Sequence, residues 1–440
     1  MKTVAFVTVV LSLALSVVPL SSEELTLDAE TSVKLALQNN LSVKGARIDL
    51  TTKRRSSDTA WNALMPSLSA GTTLSHTKSY SESNSTSQAG SPWDLSFSIR
   101  TNLPLSASTV YSIRDALLSY ETGVISLEET EKQLKRDVKK SFSGLLLKQE
   151  NIRLIEQNIE TALYNYELAV KKYERGLVPE LEMLSAQVEL ESLKPDLEDA
   201  KVDYETALMD FKQILGLDQR TEVVLKGSIE IGDLSLDAEA LIDEHISKRF
   251  DVRSRVKDIH ILENQKQLVT AQEFEPVLSL SYSFGSGLND PFDTQWSDID
   301  NWSRRGSFEI SMTLPLDPWF PASSSRVKRQ EKEDSLSKAR IELVQTRQLA
   351  EIEIRSLVMK LVKSQRTMEA LEKNVELAQK VYDLRETEYR TGLAEFLEVK
   401  QALDDLQKAK LNVLTEKYNY QVALLDLEYA LNTQMDSDSA

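Results

Sequence analysis

The chain has 440 residues, 52 Lys and Arg against 69 Asp and Glu, a formal charge of −17 and no cysteine. That excludes disulfides, thiolate metal sites, a cysteine nucleophile and a lipid-bearing N-terminal cysteine, and the acidic excess argues against nucleic acid or anionic lipid as a general partner. Only 13 glycines serve this length, so turns are few and elements long.

Residues 1–22 read as a signal peptide: Lys2 supplies the positive end, 4–18 is almost wholly apolar, and small residues precede Glu23. The apolar run is too short for a good membrane span, and cleavage is expected near Ser22. Nowhere else do 18 consecutive apolar residues occur, so a membrane crossing by this chain has to use strands.

Helix is predicted over 27–62, with Asp28 as N-cap before Val33, Leu37 and Leu41. Pro66 then forces extended backbone, because proline cannot continue a helix and biases its predecessor away from helical geometry. The first strand, about 67–79, alternates Leu68, Ala70, Thr72 and Leu74 with Ser69, Gly71, Thr73 and Ser75. After a polar loop over 81–92, the second strand, about 93–103, alternates Leu95, Phe97 and Ile99 with Ser96, Ser98 and Arg100, and Pro104 is expected to end it.

A helix over 106–175 would be ~100 Å long, with a coiled-coil seam of Ile152, Ile155, Ile159, Ala162, Tyr166, Ala169 and Tyr173. Gly176 is its C-terminal glycine. The returning helix carries Leu197, Ala200, Tyr204, Ala207, Phe211 and Ile214 at the same spacing, and Pro195 is expected to kink or break it. Residues 217–233 read as a linker with a short strand at Val223, Val224 and Leu225.

The plan then repeats. Leu25-Thr26-Leu27-Asp28-Ala29-Glu30 returns 209 residues later as Leu234-Ser235-Leu236-Asp237-Ala238-Glu239, Pro66 returns as Pro276, and Leu103-Pro104-Leu105 returns as Leu314-Pro315-Leu316. Strands at about 277–287 and 305–314 again alternate apolar residues with Ser, Thr and charge, and Trp93, Trp296 and Trp302 stand near strand ends as an interfacial girdle would. Tyr173-Glu174-Arg175-Gly176-Leu177 is echoed by Tyr389-Arg390-Thr391-Gly392-Leu393, 216 residues on. The first repeat is therefore 23–216, the second 234–432, and 433–440 is a tail.

Alternation alone also fits an ordinary sheet packed on a soluble core. If the strands insert in lipid, four cannot close a barrel, whereas three protomers would bring twelve.

With Met65-Pro66-Ser67-Leu68 and Pro276-Val277-Leu278 at helix-to-strand junctions, Leu103-Pro104-Leu105 and Leu314-Pro315-Leu316 at strand-to-helix junctions, and the two tyrosine-to-leucine tips, the chain resembles the TolC family of outer-membrane channel proteins over essentially its whole mature length. The resemblance implies a mainly α fold with a transmembrane β-barrel: a homotrimer whose twelve strands cross the outer membrane and whose helices continue as a coiled-coil barrel through the periplasm. It implies passive export of small molecules or proteins, with a periplasmic adaptor (membrane fusion) protein and an inner-membrane transporter as partners, outer-membrane lipid as surroundings, and no cofactor.

The resemblance also carries residue roles. The family narrows its periplasmic mouth with acidic residues just after the tip glycine, which falls on Glu182 and Glu398; both also read as solvated helix-surface glutamates. Tyr389 matches a tyrosine of the family's closing network, with seam packing as the alternative, while Ala394 and Gln401 depart from that network. The adaptor is expected at Arg175, Gly176, Leu177, Thr391, Gly392 and Leu393. No catalytic pattern competes: His76, His245 and His260 lack metal-ligand spacing, and no phosphate loop or nucleophile elbow is present. The rival reading is a periplasmic coiled-coil scaffold without a pore, and it leaves the duplicated proline-bounded strand pairs unexplained.

Overall fold

The computed structural model describes residues 25–77, 93–228, 232 and 236–435. The signal segment, the polar loop over 81–92, Leu234, Ser235 and residues 436–440 lie outside the described residues. In chain order the elements are β1 (Leu25–Leu27), α1 (Ala29–Asn39), α2 (Leu41–Thr59), β2 (Ser67–His76), β3 (Trp93–Leu105), α3 (Ala107–Glu174), α4 (Glu180–Leu215), β4 (Val223–Leu225), α5 (Ala238–His245), α6 (Phe250–Phe274), β5 (Val277–Asn289), β6 (Trp302–Thr313), α7 (Ser324–Thr391) and α8 (Phe396–Leu431). The duplication is metrical as well as textual: α3 and α7 each have 68 residues, and α4 and α8 each have 36.

The chain forms two compact units, each drawing on both repeats: Met1–Asn40 with Asp137–Ile231 and Thr367–Gln421, and Leu41–Arg136 with Gly232–Arg366 and Val422–Ala440. In the first, β1 pairs in parallel with β4, Leu25 opposite Val223 and Leu27 opposite Leu225. Leu27 is therefore strand, not the start of a helix. Asp28 follows as N-cap in a capping box, its carboxylate accepting from the Thr31 N–H at 2.6 Å while the Thr31 hydroxyl accepts from the Asp28 N–H.

The helix expected over 27–62 is broken at Asn40, where ψ is 131°. The reason is a partner distant in sequence. The Asn40 side-chain amide donates at 2.8 Å to the Ile214 carbonyl, one of the orphan acceptors at the end of α4. Beside it α4 stops at Gly216, left-handed at φ 69°, where a Cβ would come within 2.6 Å of the Asn39 carbonyl oxygen. Pro195 does not break α4: it lies on the exposed side of a continuous helix, where water can satisfy the carbonyl that loses its donor.

The second unit holds one antiparallel sheet ordered β2-β3-β5-β6. Opposed residues share a face, so the register assigns the two sides. One side carries Leu68, Leu74, Phe97, Ile99, Tyr282, Phe284, Phe308, Ile310 and Met312; the other carries Ser69, Thr73, Ser96, Ser98, Arg100, Ser281, Ser283, Ser307 and Glu309. The apolar side is uncovered, with Leu68 76% and Met312 73% exposed. Aromatic rings gather at the end away from the junction prolines: Trp93 meets Phe292 at 5.4 Å, and Trp302 meets Trp296 at 6.2 Å. β2 and β6 are the outer strands of the sheet.

Pro66 and Pro276 directly precede β2 and β5, and Pro315 follows β6. Pro104 does not end β3, which continues to Leu105 opposite Leu278. β2 pairs with β3 only as far as Asn102, so Pro104 occupies a stretch with β5 on one side alone, where a residue without an N–H is tolerated. β5 likewise runs to Asn289, β6 starts at Trp302 and stops at Thr313, and β2 is strand only to His76.

Buried charge supports this second unit. Arg249 is 8% exposed and pairs with Asp251 at 2.8 Å and Glu353 at 2.7 Å. No helix among the described residues is long and apolar enough to cross a membrane.

Candidate functional site

The residues singled out after the two tip glycines belong to the first unit. Each tip is closed by the same backbone device. Gly176 is left-handed at φ 68° and Gly392 at φ 81°. The Leu177 N–H donates to Lys172 O at 2.9 Å and the Leu393 N–H to Glu388 O at 2.8 Å, the six-to-one bond of a Schellman motif. α4 and α8 follow within a few residues. Glu182 and Glu398 sit in their first turns, their N–H groups donating to Pro179 O at 3.0 Å and Glu395 O at 3.1 Å. A carboxylate is favoured there by the exposed N–H dipoles.

The side chains break this symmetry. Tyr389 is 1% exposed in a cluster with Ala169, Ala186, Phe396, Val399 and Leu403, its ring 6.1 Å from Phe396. Its counterpart Tyr173 is 40% exposed. The Tyr389 hydroxyl and one Glu182 carboxylate oxygen are both buried, and each has the other as its polar neighbour. Burial, and then the nearby negative charge of Glu182, push the phenol well above its ordinary value. Lys172 donates to the Tyr389 carbonyl, and its ammonium lies 3.5 Å from the centroid of the same ring. Burial holds that ammonium below the usual lysine value, against the pull of Glu182.

Glu398 has a different environment. It is exposed and pairs with Arg385 at 2.7 Å, and the same guanidinium nitrogen reaches Glu388 at 2.8 Å. Deeper along the helices, Lys400 pairs with the buried Glu189, which raises the ammonium. Desolvation and then Glu189 raise the carboxyl of Asp404.

The structure thus brings Glu182 and Tyr389 together and sets Glu398 with a basic residue that sequence reasoning passed over. The signal was available in part: Arg385 stands seven residues before Gly392 and Glu398 six after it, and a helical hairpin brings positions at similar distances from its turn face to face.

The tips themselves are open. Arg175, Gly176, Thr391 and Gly392 are exposed, and Leu177 and Leu393 are 68% and 82% exposed. Beside them a groove of about 720 Å³ runs between the starts of α4 and α8, lined by Leu181, Leu184, Val188, Phe396 and Leu397 with Glu182 at its side. No group of three or more His, Asp and Glu among the described residues is placed to hold a metal ion.

A family model described as outer membrane efflux protein matches residues 32–217 and 241–433. Among solved structures, the CmeC outer-membrane channel of Campylobacter jejuni is 17% identical, covers 94% of this chain and 87% of its own, and superposes with a TM-score of 0.79. The VceC outer-membrane protein of Vibrio cholerae is 16% identical over 93% of this chain and 97% of its own, with a TM-score of 0.75. The open-state MtrE outer-membrane channel of Neisseria gonorrhoeae is 18% identical over 94% of this chain and 90% of its own, with a TM-score of 0.73. No curated protein sequence matches the chain significantly. The structural likenesses concern the fold; the family match takes in most of both repeats, and on it the chain belongs to the outer membrane efflux protein family.

Proposed function

We propose that three copies of this outer-membrane efflux channel close their sheets into one twelve-stranded barrel in lipid, with their helical hairpins forming a conduit on the periplasmic side. The observation that carries this reading is the open four-stranded sheet, apolar on one side and lined by serine on the other. An uncovered apolar face demands lipid or protein, open edges are not tolerated in lipid, and cyclic closure of outer strand on outer strand answers both demands. The serine side then lines a wet lumen.

Transport through it is passive. A periplasmic adaptor and an inner-membrane transporter supply cargo and energy, and the adaptor docks on the exposed tips at Arg175 to Leu177 and Thr391 to Leu393. Glu182 and Glu398 stand at the periplasmic opening and favour cations electrostatically, and Tyr389 belongs to the contacts that govern its width. The test is purification from an outer-membrane fraction followed by planar-bilayer recording. The expected result is a heat-resistant trimer giving stable cation-selective steps, with cation preference reduced by Glu182→Gln/Glu398→Gln. A soluble monomer or dimer that never enters the bilayer would support the scaffold instead.

A further inference from the structure

Glu182 and Glu398 occupy equivalent backbone positions, yet the cations near them come from positions that are not equivalent. Arg385 corresponds in the first repeat to Ala169, and Glu388 corresponds to Lys172, each by the step of 216 residues. In the second repeat, Glu388 and Glu398 hold one guanidinium between them at 2.8 and 2.7 Å. In the first repeat, Lys172 is spent on the Tyr389 carbonyl and ring, and Glu182 makes no ion pair among the described residues. One tip carboxylate is therefore in direct contact with a guanidinium of its own chain, and the other feels its lysine only at a distance.

We infer that Arg385 is a specificity-determining residue of the conduit, holding Glu398 against its own hairpin and offsetting part of its charge, and so setting the fixed charge of the periplasmic opening. The inference rests on the proposed placement of Glu182 and Glu398 at that opening. Glu388, one turn along the same helix, fixes the guanidinium so that the same nitrogen can meet a second carboxylate across the hairpin. The pair is half exposed, 44% for Arg385 and 48% for Glu398, so it contributes little to stability and is screened by salt. Its consequence is for the field in the opening: the carboxylates that face a passing ion with full charge are fewer than the sequence suggests.

The test is a double-mutant cycle on the cation-to-anion permeability ratio, read from reversal potentials of the full-length trimer in a dilute salt gradient. Arg385→Gln should raise the ratio about threefold, the weight of one released charge a few ångströms from the ion path in water. In the Glu398→Gln background the same substitution should change it much less, and Arg385→Lys should restore the wild-type value. Each variant is first checked for the heat-resistant trimer, and Arg385→Lys keeps the test alive if Arg385→Gln fails to assemble. An unchanged ratio in Arg385→Gln, or an equal change in both backgrounds, overturns the inference while Glu182→Gln/Glu398→Gln still lowers cation preference. If that double variant has no effect, the acidic opening itself is wrong and the inference falls with it.

Discussion

Lys172 and Tyr389, 217 residues apart, are joined twice: the lysine ammonium donates to the tyrosine's main-chain carbonyl and lies 3.5 Å from the centroid of its ring. The contact ties the end of α3 to the end of α7, one helix from each repeat. It leaves the phenol hydroxyl with no part in the bond, and that hydroxyl is buried beside the Glu182 carboxylate.

Tyr389→Phe should therefore cost about 1 kcal/mol, because the ring stays in place and only the hydroxyl's contact with the Glu182 carboxylate is lost. Tyr389→Ala should cost about 3–5 kcal/mol by opening a cavity against Phe396 and Val399. Hydrogen exchange of the tip amides distinguishes the two, and loosening in Tyr389→Phe as large as in Tyr389→Ala would contradict this order.

The left-handed glycines predict a graded series. Gly176 and Gly392 have nothing within 4 Å of an added Cβ, so alanine there meets only the backbone cost of a positive φ, about 1 kcal/mol. Gly216→Ala pays that cost and also drives a methyl to 2.6 Å from the Asn39 carbonyl oxygen, so it should be clearly worse, by about 1–3 kcal/mol more. Proteolytic nicking near residues 39–41 and 216 follows this ranking; equal sensitivity of all three variants would contradict it.

Glu129 supplies a pH dependence. Burial, and then the charge of Asp251, hold its carboxyl above the ordinary 4.5, and the Tyr429 hydroxyl donating at 3.5 Å only partly opposes this. A carboxyl whose folded value is raised binds its proton more tightly in the folded state. It imposes no penalty below the unfolded value, and the penalty grows as pH rises through the raised folded value and is complete above it. Glu129→Gln should thus raise the melting temperature at about pH 7 by a degree or more and leave it unchanged at about pH 4. A gain of the same size at both would assign the effect to packing.

Arg249 is the buried member of a triad whose carboxylates, Asp251 and Glu353, keep 40% and 53% of their side-chain exposure. Arg249→Met removes three charge-assisted hydrogen bonds but leaves anions that water can reach, so its cost should be about 1.5–3 kcal/mol rather than the larger figure for stranding a buried charge. Glu353→Gln should cost less, since Asp251 still holds the guanidinium by two bonds. Denaturant midpoints of the three proteins test this order, and a reversal would show Glu353 to be the main counter-ion.

The features that the sequence settles are those written in local chemistry. A glycine that ends a helix carries its own reason, since the left-handed backbone costs it little, and Gly176, Gly216 and Gly392 all adopt it. Alternation of period two assigns each strand residue to a face whatever it packs on, and the paired register of β2, β3, β5 and β6 follows that assignment. Asp28 caps α1 because its acceptor and the Thr31 hydroxyl lie within one turn.

What the tertiary structure decided depends on partners far along the chain. Nothing near Asn40 requires a break, and it comes from the end of α4, whose orphan carbonyl the asparagine satisfies. Pro104 reads as a stop but lies within β3, because the neighbour that would need its N–H has already ended. The two tip glutamates are twins in sequence and unlike in surroundings: Arg385 is drawn to one, while the buried Tyr389 lies beside the other. Local pattern fixes backbone conformation and face, and the charge a carboxylate presents is set by which groups the fold brings within a few ångströms of it.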